Sequence, residues 1–122
     1  MLKDGFFLFT HSQTEGDIVK YDIKLNAEHS IFEGHFPAQP ILPGVCMMQM
    51  VKEVVETHIN KPTQLLKAND LKFLAFIRPD QDKLIQMDLE IKMEEEKIIV
   101  KASLLDEATT FFKFKGIFVQ EL

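Results

Sequence analysis

The residues best suited to chemistry are His35, Gln49 and Glu53. An unperturbed imidazole titrates near pH 6.5, so His35 suits proton transfer at neutral pH. Gln49 offers an amide that donates and accepts hydrogen bonds without titrating, and Glu53 offers a carboxyl. Positions four apart share one face of a helix about 6 Å apart, so these two side chains would line the same side of any helix that carries them.

His35 lies in the run Phe32-Glu33-Gly34-His35-Phe36-Pro37-Ala38-Gln39-Pro40-Ile41-Leu42-Pro43-Gly44-Val45, which holds three prolines and two glycines in fourteen residues. Each proline lacks an N–H and pushes the residue before it toward extended geometry, so the run is a shaped loop and neither a helix nor a central strand. It delivers the chain to a helix starting at Pro43-Gly44, where proline is tolerated because first-turn N–H groups have no intrahelical acceptor. The titratable group therefore precedes free backbone donors. Val45, Met48, Val51, Val55 and Ile59 then recur at steps of three and four, widened by Met47, Met50 and Val54, which predicts a helix over 45–59 buried on most sides. Gln49 interrupts that apolar surface, and Asn60-Lys61-Pro62 ends the helix. A buried amide needs partners, so Gln49 belongs where something polar approaches or at the surface.

Around this segment the chain reads as strands. Phe6 to Phe9 suggests a short packed turn, followed by a surface loop to Gly16. Ile18, Tyr21, Ile23 and Leu25 alternate with polar residues over 17–26, as in a half-buried strand. Leu65 to Ile77, Leu84 to Met93, Lys97 to Leu105 and Phe111 to Gln120 read as four more, with Glu94-Glu95-Glu96 as a solvated hairpin turn. The expected fold class is α+β, an antiparallel sheet around one buried helix.

The 122 residues predict a single domain, 1–122, and the 46% hydrophobic and 27% charged content is that of a globular protein. A net charge of −5 argues against nucleic acid as partner. Cys46 is the single cysteine, so no internal disulfide forms, and the spacing of the four histidines makes no metal cluster. No segment reaches the roughly 20 apolar residues of a membrane span, and the N-terminal apolar run is too short for a signal-peptide core. A cytoplasmic protein is expected.

With its Phe-x-Gly-His-Phe-Pro and Pro-x-x-Pro-Gly-Val, the segment from Asn26 to Gln49 resembles the signature of β-hydroxyacyl-[acyl-carrier-protein] dehydratases of the hotdog superfamily, the FabZ and FabA type. Phe73 to Asp82 is similar to a family strand that ends in Arg-Pro-x-x-Pro-Gly-Asp. The resemblance implies a hotdog fold, in which a long central helix is wrapped by a curved antiparallel sheet. It also implies a homodimer joined edge to edge, or a trimer of dimers, with sites at the interface that combine the loop histidine of one subunit with a helix carboxylate of the other. Substrates would be acyl thioesters on the phosphopantetheine of an acyl carrier protein or coenzyme A, with no metal or redox cofactor. Relatives of this kind serve fatty-acid elongation, lipid A acyl chains and polyene-type metabolism.

Chemistry gives each position a role. Removing a proton beside a thioester builds charge on its oxygen, and donors aimed there are commonly the largest catalytic contribution. The Gly44 N–H, at the positive end of the helix dipole, would supply one, and glycine would let substrate come close. His35 is the candidate base. Gln49 stands fourteen residues after His35 and Glu53 eighteen; in the dehydratases the first of these positions carries the carboxylate and the second commonly glutamine, so the two residue types are exchanged. Gln49 can orient a hydroxyl or a water but cannot protonate a departing hydroxide. Glu53 either replaces that acid through a deeper substrate, a water relay or a shifted helix, or is a partly exposed helix residue.

Three activities fit: a dehydratase or reversible hydratase of 3-hydroxyacyl thioesters, a thioesterase using His35 or Glu53 to activate water, or a non-catalytic acyl-thioester-binding subunit. Phe32, Phe36, Pro43, Val45 and Phe76 are the candidate substrate contacts, with Phe73 and Ile77 nearby; core packing is the alternative for each phenylalanine. Arg78 with Lys72, or Lys113 with Lys115, would form the basic surface that an acidic carrier protein needs.

Overall fold

The computed structural model describes residues 5, 7–26, 28, 41–79 and 84–121. Six strands and one helix follow one another as β1 (Phe7–Glu15), β2 (Ile18–Leu25), α1 (Gly44–Ile59), β3 (Thr63–Phe73), β4 (Leu84–Glu94), β5 (Lys97–Leu105) and β6 (Thr110–Gln120). The strands form one sheet in the order β1-β2-β4-β5-β6-β3, and every neighbouring pair is antiparallel. β1 and β3 are its edges.

Alternation dictates which face packs. Val19, Tyr21, Ile23 and Leu25 of β2, Ile85, Met87 and Leu89 of β4, Ile98, Val100, Ala102 and Leu104 of β5, and Phe112, Phe114 and Phe118 of β6 are buried in one core. Cys46, Met47, Met50, Val51, Val54 and Val55 of α1 join that core, so the helix lies against one face of the sheet. The opposite face carries the charged residues that alternate with them, the outcome expected of an antiparallel sheet covered on one side. No described helix is long and apolar enough to cross a membrane.

The helix ends as its sequence requires. Asn60 adopts the left-handed conformation at φ 58° and its N–H bonds the Glu56 carbonyl. A Glu56 carboxylate oxygen accepts from both the N–H and the hydroxyl of Thr63, which ties the end of α1 to the first residue of β3. At Gly116 of β6 an added Cβ would lie 2.6 Å from the Lys67 carbonyl oxygen. Glycine there allows β3 to approach β6 closely next to its two bulges.

Four expectations are corrected. The stretch Phe7 to Glu15 is the strand β1 and not a packed turn with a surface loop; its polar half is exposed and is held to β2 by the ladder, the Lys20–Glu15 ion pair at 3.5 Å and the edge contact of His11 with Tyr21. Val19, and not Ile18, begins the inward row of β2. β3 runs Thr63–Phe73 and not to Ile77, because the N–H groups of Leu74 and Ala75 both turn onto the Phe111 carbonyl and leave the ladder. Val45 opens the apolar stripe in sequence but is 76% exposed. The acidic turn is as expected, with Glu95 at φ 59° between β4 and β5.

Candidate active site

The site begins where the proline-rich run meets α1. His35, Phe32 and Phe36 lie outside the described residues, so the described part of the site is its helix side. Pro43, extended at φ −62° and ψ 146°, is the N-cap, and its carbonyl accepts from the N–H groups of Cys46 and Met47 at 3.0 and 3.3 Å. That leaves Gly44 and Val45, whose N–H groups have no backbone acceptor among the described residues. Among the described residues no side chain caps this end and the first turn holds no acidic residue, so nothing described there opposes the positive end of the helix dipole. Those donors are what a developing oxyanion requires.

Two contacts fix the position of this terminus. The Leu42 N–H donates to the Ile77 carbonyl at 2.9 Å, pinning the end of the motif to the segment after β3. The Phe73 ring lies over Gly44, so close that an added Cβ would sit 2.8 Å from two ring carbons. The same ring stacks on Phe112, centroids 5.1 Å apart and planes 30° apart. The expectation that Gly44 makes room for substrate is therefore corrected: the space a side chain would take is filled by Phe73.

From Val45 one line of side chains, four residues apart, runs down α1 from surface to interior. Val45 is exposed, Gln49 half-buried and Glu53 only 1% exposed. Among the described residues the Gln49 amide has no hydrogen-bond partner. Glu53 is buried and engaged, and the reading of it as a partly exposed helix residue is corrected. It sits one turn, about 6 Å, beyond Gln49. Cys46, in the first turn, is buried, and burial pushes its thiol pKa up from 9.0. A thiol held protonated is no nucleophile at neutral pH.

Among the expected substrate contacts, Phe76 is 73% exposed and Phe73 53%, whereas Ile77 is fully buried and belongs to the core. Arg78 is half-buried and engaged, while Lys72, Lys113 and Lys115 are exposed on the outer face. One pairing was not foreseen. The Tyr21 hydroxyl meets His58 Nδ1 at 3.0 Å, joining the last turn of α1 to β2. Nothing in the spacing of residues 21 and 58 signals that contact, which depends on the tertiary fold.

A family model, ApeI-like (ApeI dehydratase), matches residues 11–113. The chain belongs to this ApeI-like dehydratase family. Among solved structures it is similar to the dehydratase heterocomplex ApeI:P from Xenorhabdus doucetiae, at TM-score 0.71 and 19% identity over 91% of this chain and 95% of that one. It is also similar to Cj0977, a sigma28-regulated virulence protein from Campylobacter jejuni (TM-score 0.67, 14% identity, 92% and 82% covered). A putative thioesterase from Shewanella oneidensis matches at TM-score 0.57 and 10% identity, over 93% and 84%. No curated protein matches the chain. These likenesses carry the fold, the hotdog arrangement that the motif implied.

Proposed function

We propose that the protein is a dehydratase of 3-hydroxyacyl thioesters carried on an acyl carrier protein or coenzyme A, of the same general type as the FabZ and FabA enzymes. The observation that carries this reading is the start of α1, where the Gly44 and Val45 N–H groups, on the helix that also bears Gln49, have no acceptor among the described residues. His35 takes the proton from the carbon beside the thioester, and the carbon–oxygen bond to the β-hydroxyl breaks as the carbon–carbon double bond forms. The Gly44 N–H holds the thioester oxygen while it carries charge. Gln49 orients the hydroxyl and an intervening water, through which Glu53 supplies the proton that lets the hydroxyl leave as water. Val45, Pro43, Phe76, Phe32 and Phe36 contact the acyl chain. No metal or redox cofactor takes part.

A second copy of the chain completes the site. β3 is a sheet edge whose Leu65, Leu66, Leu71 and Phe73 are exposed, an arrangement that a folded protein seldom leaves open to solvent. Pairing of two β3 edges would cover these side chains and join the two sheets.

Product identification tests the reading. Incubation with a 3-hydroxyacyl thioester is expected to give the trans-2-enoyl thioester with the thioester bond intact. Free acid and thiol without enoyl product would make the protein a thioesterase. Retention of acyl thioester without turnover would make it a binding subunit.

A further inference from the structure

A donor at Gly44 works only if the start of α1 is held still, because hydrogen bonds to a developing oxyanion need a separation of about 2.7–3.1 Å and the ends of helices fray. Among the described residues no side chain caps this end. What bears on Gly44 itself is the ring of Phe73, which supplies the three nearest heavy atoms to the place where a Cβ would stand, at 2.8, 2.8 and 3.4 Å. The ring occupies the Cα side of the residue and leaves its N–H without an acceptor among the described residues. It restrains Gly44 without using the donor.

The ring is fixed from behind. Phe73 is the last residue of β3 and stands directly opposite Phe112 in the β6 ladder, with the two rings stacked at 5.1 Å. Phe112 is fully buried in the core. Immediately beyond Phe73, the N–H groups of Leu74 and Ala75 donate to the Phe111 carbonyl at 2.8 and 3.2 Å, which fixes the backbone that carries the ring. A line of contact thus runs from the core through Phe112 and Phe73 to the first residue of α1. Core packing does not account for it, since Phe73 is 53% exposed and much of its apolar surface gains nothing from burial within the chain. Pairing of β3 edges, proposed above, would cover the exposed half, but it does not explain the half pressed on Gly44.

We propose that Phe73 is a positioning residue for the Gly44 N–H: its ring, backed by Phe112, braces the start of α1 so that the donor stays where the thioester oxygen gains charge. The proposal deepens the dehydratase reading above and rests on it. Phe73 acts through Gly44, on a hydrogen bond that strengthens in the transition state. Its loss therefore lowers kcat and leaves KM nearly unchanged.

The test measures kcat and KM on a 3-hydroxyacyl coenzyme A thioester for the wild type, Phe73→Ala, Phe73→Leu, Phe73→Tyr and Leu71→Ala. Removing an oxyanion donor outright costs about 10²–10³ in kcat, and loosening one is expected to cost about tenfold in Phe73→Ala with KM within about twofold. Phe73→Leu keeps apolar bulk without the flat ring and should fall about fivefold, so the comparison survives if Phe73→Ala does not fold. Phe73→Tyr keeps the ring and should stay within about twofold of the wild type. So should Leu71→Ala, which removes apolar surface from the same β3 edge, opposite buried Phe114. Amide NMR of the same proteins gives a readout independent of turnover: the Gly44 and Val45 signals are expected to broaden in Phe73→Ala and Phe73→Leu and to keep their widths in the other two. Unchanged kcat or unbroadened signals in both ring-removing variants, a rise in KM at constant kcat, or an equal loss in Leu71→Ala would overturn the assignment. Absence of turnover in the wild type would instead contradict the dehydratase reading, and the Gly44 and Val45 signals alone would then decide whether Phe73 holds the terminus.

Discussion

The ring of Phe73 occupies the space that a side chain at position 44 would fill, with two ring carbons 2.8 Å from where a Cβ would stand. The glycine that opens α1 is thus set by the packing of a β3 aromatic against the helix terminus. Gly44 is the first residue of the right-handed helix and not a left-handed residue, so an unusual backbone angle is not the reason.

Gly44→Ala is therefore expected to destabilise the protein by about 1 kcal/mol, the low end of overpacking because the half-exposed Phe73 ring can shift. Without the clash, alanine would be the better helix residue. Thermal melts of Gly44→Ala in the wild-type and Phe73→Ala backgrounds measure this directly. A cost that disappears in the second background is expected, and an equal cost in both would remove the steric account.

Burial raises the pKa of Cys46 above 9.0 and that of Tyr21 above 10.0. Each folded-state group holds its proton to higher pH than in the unfolded chain, so its contribution is fully present below the ordinary value and is lost as pH rises through the folded value. Stability should fall from pH 9 upward. Urea melts across this range should show a shallower early decline in Cys46→Ala and a shallower later one in Tyr21→Phe. Slopes identical to wild type in both variants would contradict the assignment.

Glu53 is the buried carboxyl on the face that carries Gln49. Glu53→Gln keeps the shape and removes the proton source, and is expected to lower turnover about a hundredfold. Lys52→Ala, one residue away, should leave it within about twofold of the wild type. Equal rates in the two variants would take Glu53 out of the mechanism.

Much of this architecture is legible in residue order, and the exceptions have physical causes. The inward rows Ile85, Met87, Leu89 and Phe112, Phe114, Phe118 follow from period-two alternation, and the helix from its steps of three and four. β1 is hidden because Thr10 to Glu15 are all exposed and show no inward apolar row, and it is pairing with β2 that makes them a strand. Leu74 to Ile77 resemble strand in composition, yet backbone bonds to Phe111 and from Leu42 hold them as a loop. For the site, the uncapped helix start at Pro43-Gly44 was foreseeable from local rules. The Phe73 ring over Gly44, the depth of Glu53 and the Tyr21–His58 bond were not, because each depends on which element packs across from it.

The central claim is that His35 and the Gln49 face of α1 dehydrate a 3-hydroxyacyl thioester. Mass analysis of the purified wild type, His35→Ala and Gln49→Glu, each incubated with 3-hydroxyacyl and trans-2-enoyl thioesters, tests it most directly. The account predicts loss or gain of one water by the wild type and none by His35→Ala. Silence in the wild type with activity appearing in Gln49→Glu would contradict it, and would describe a dehydratase scaffold without its acid.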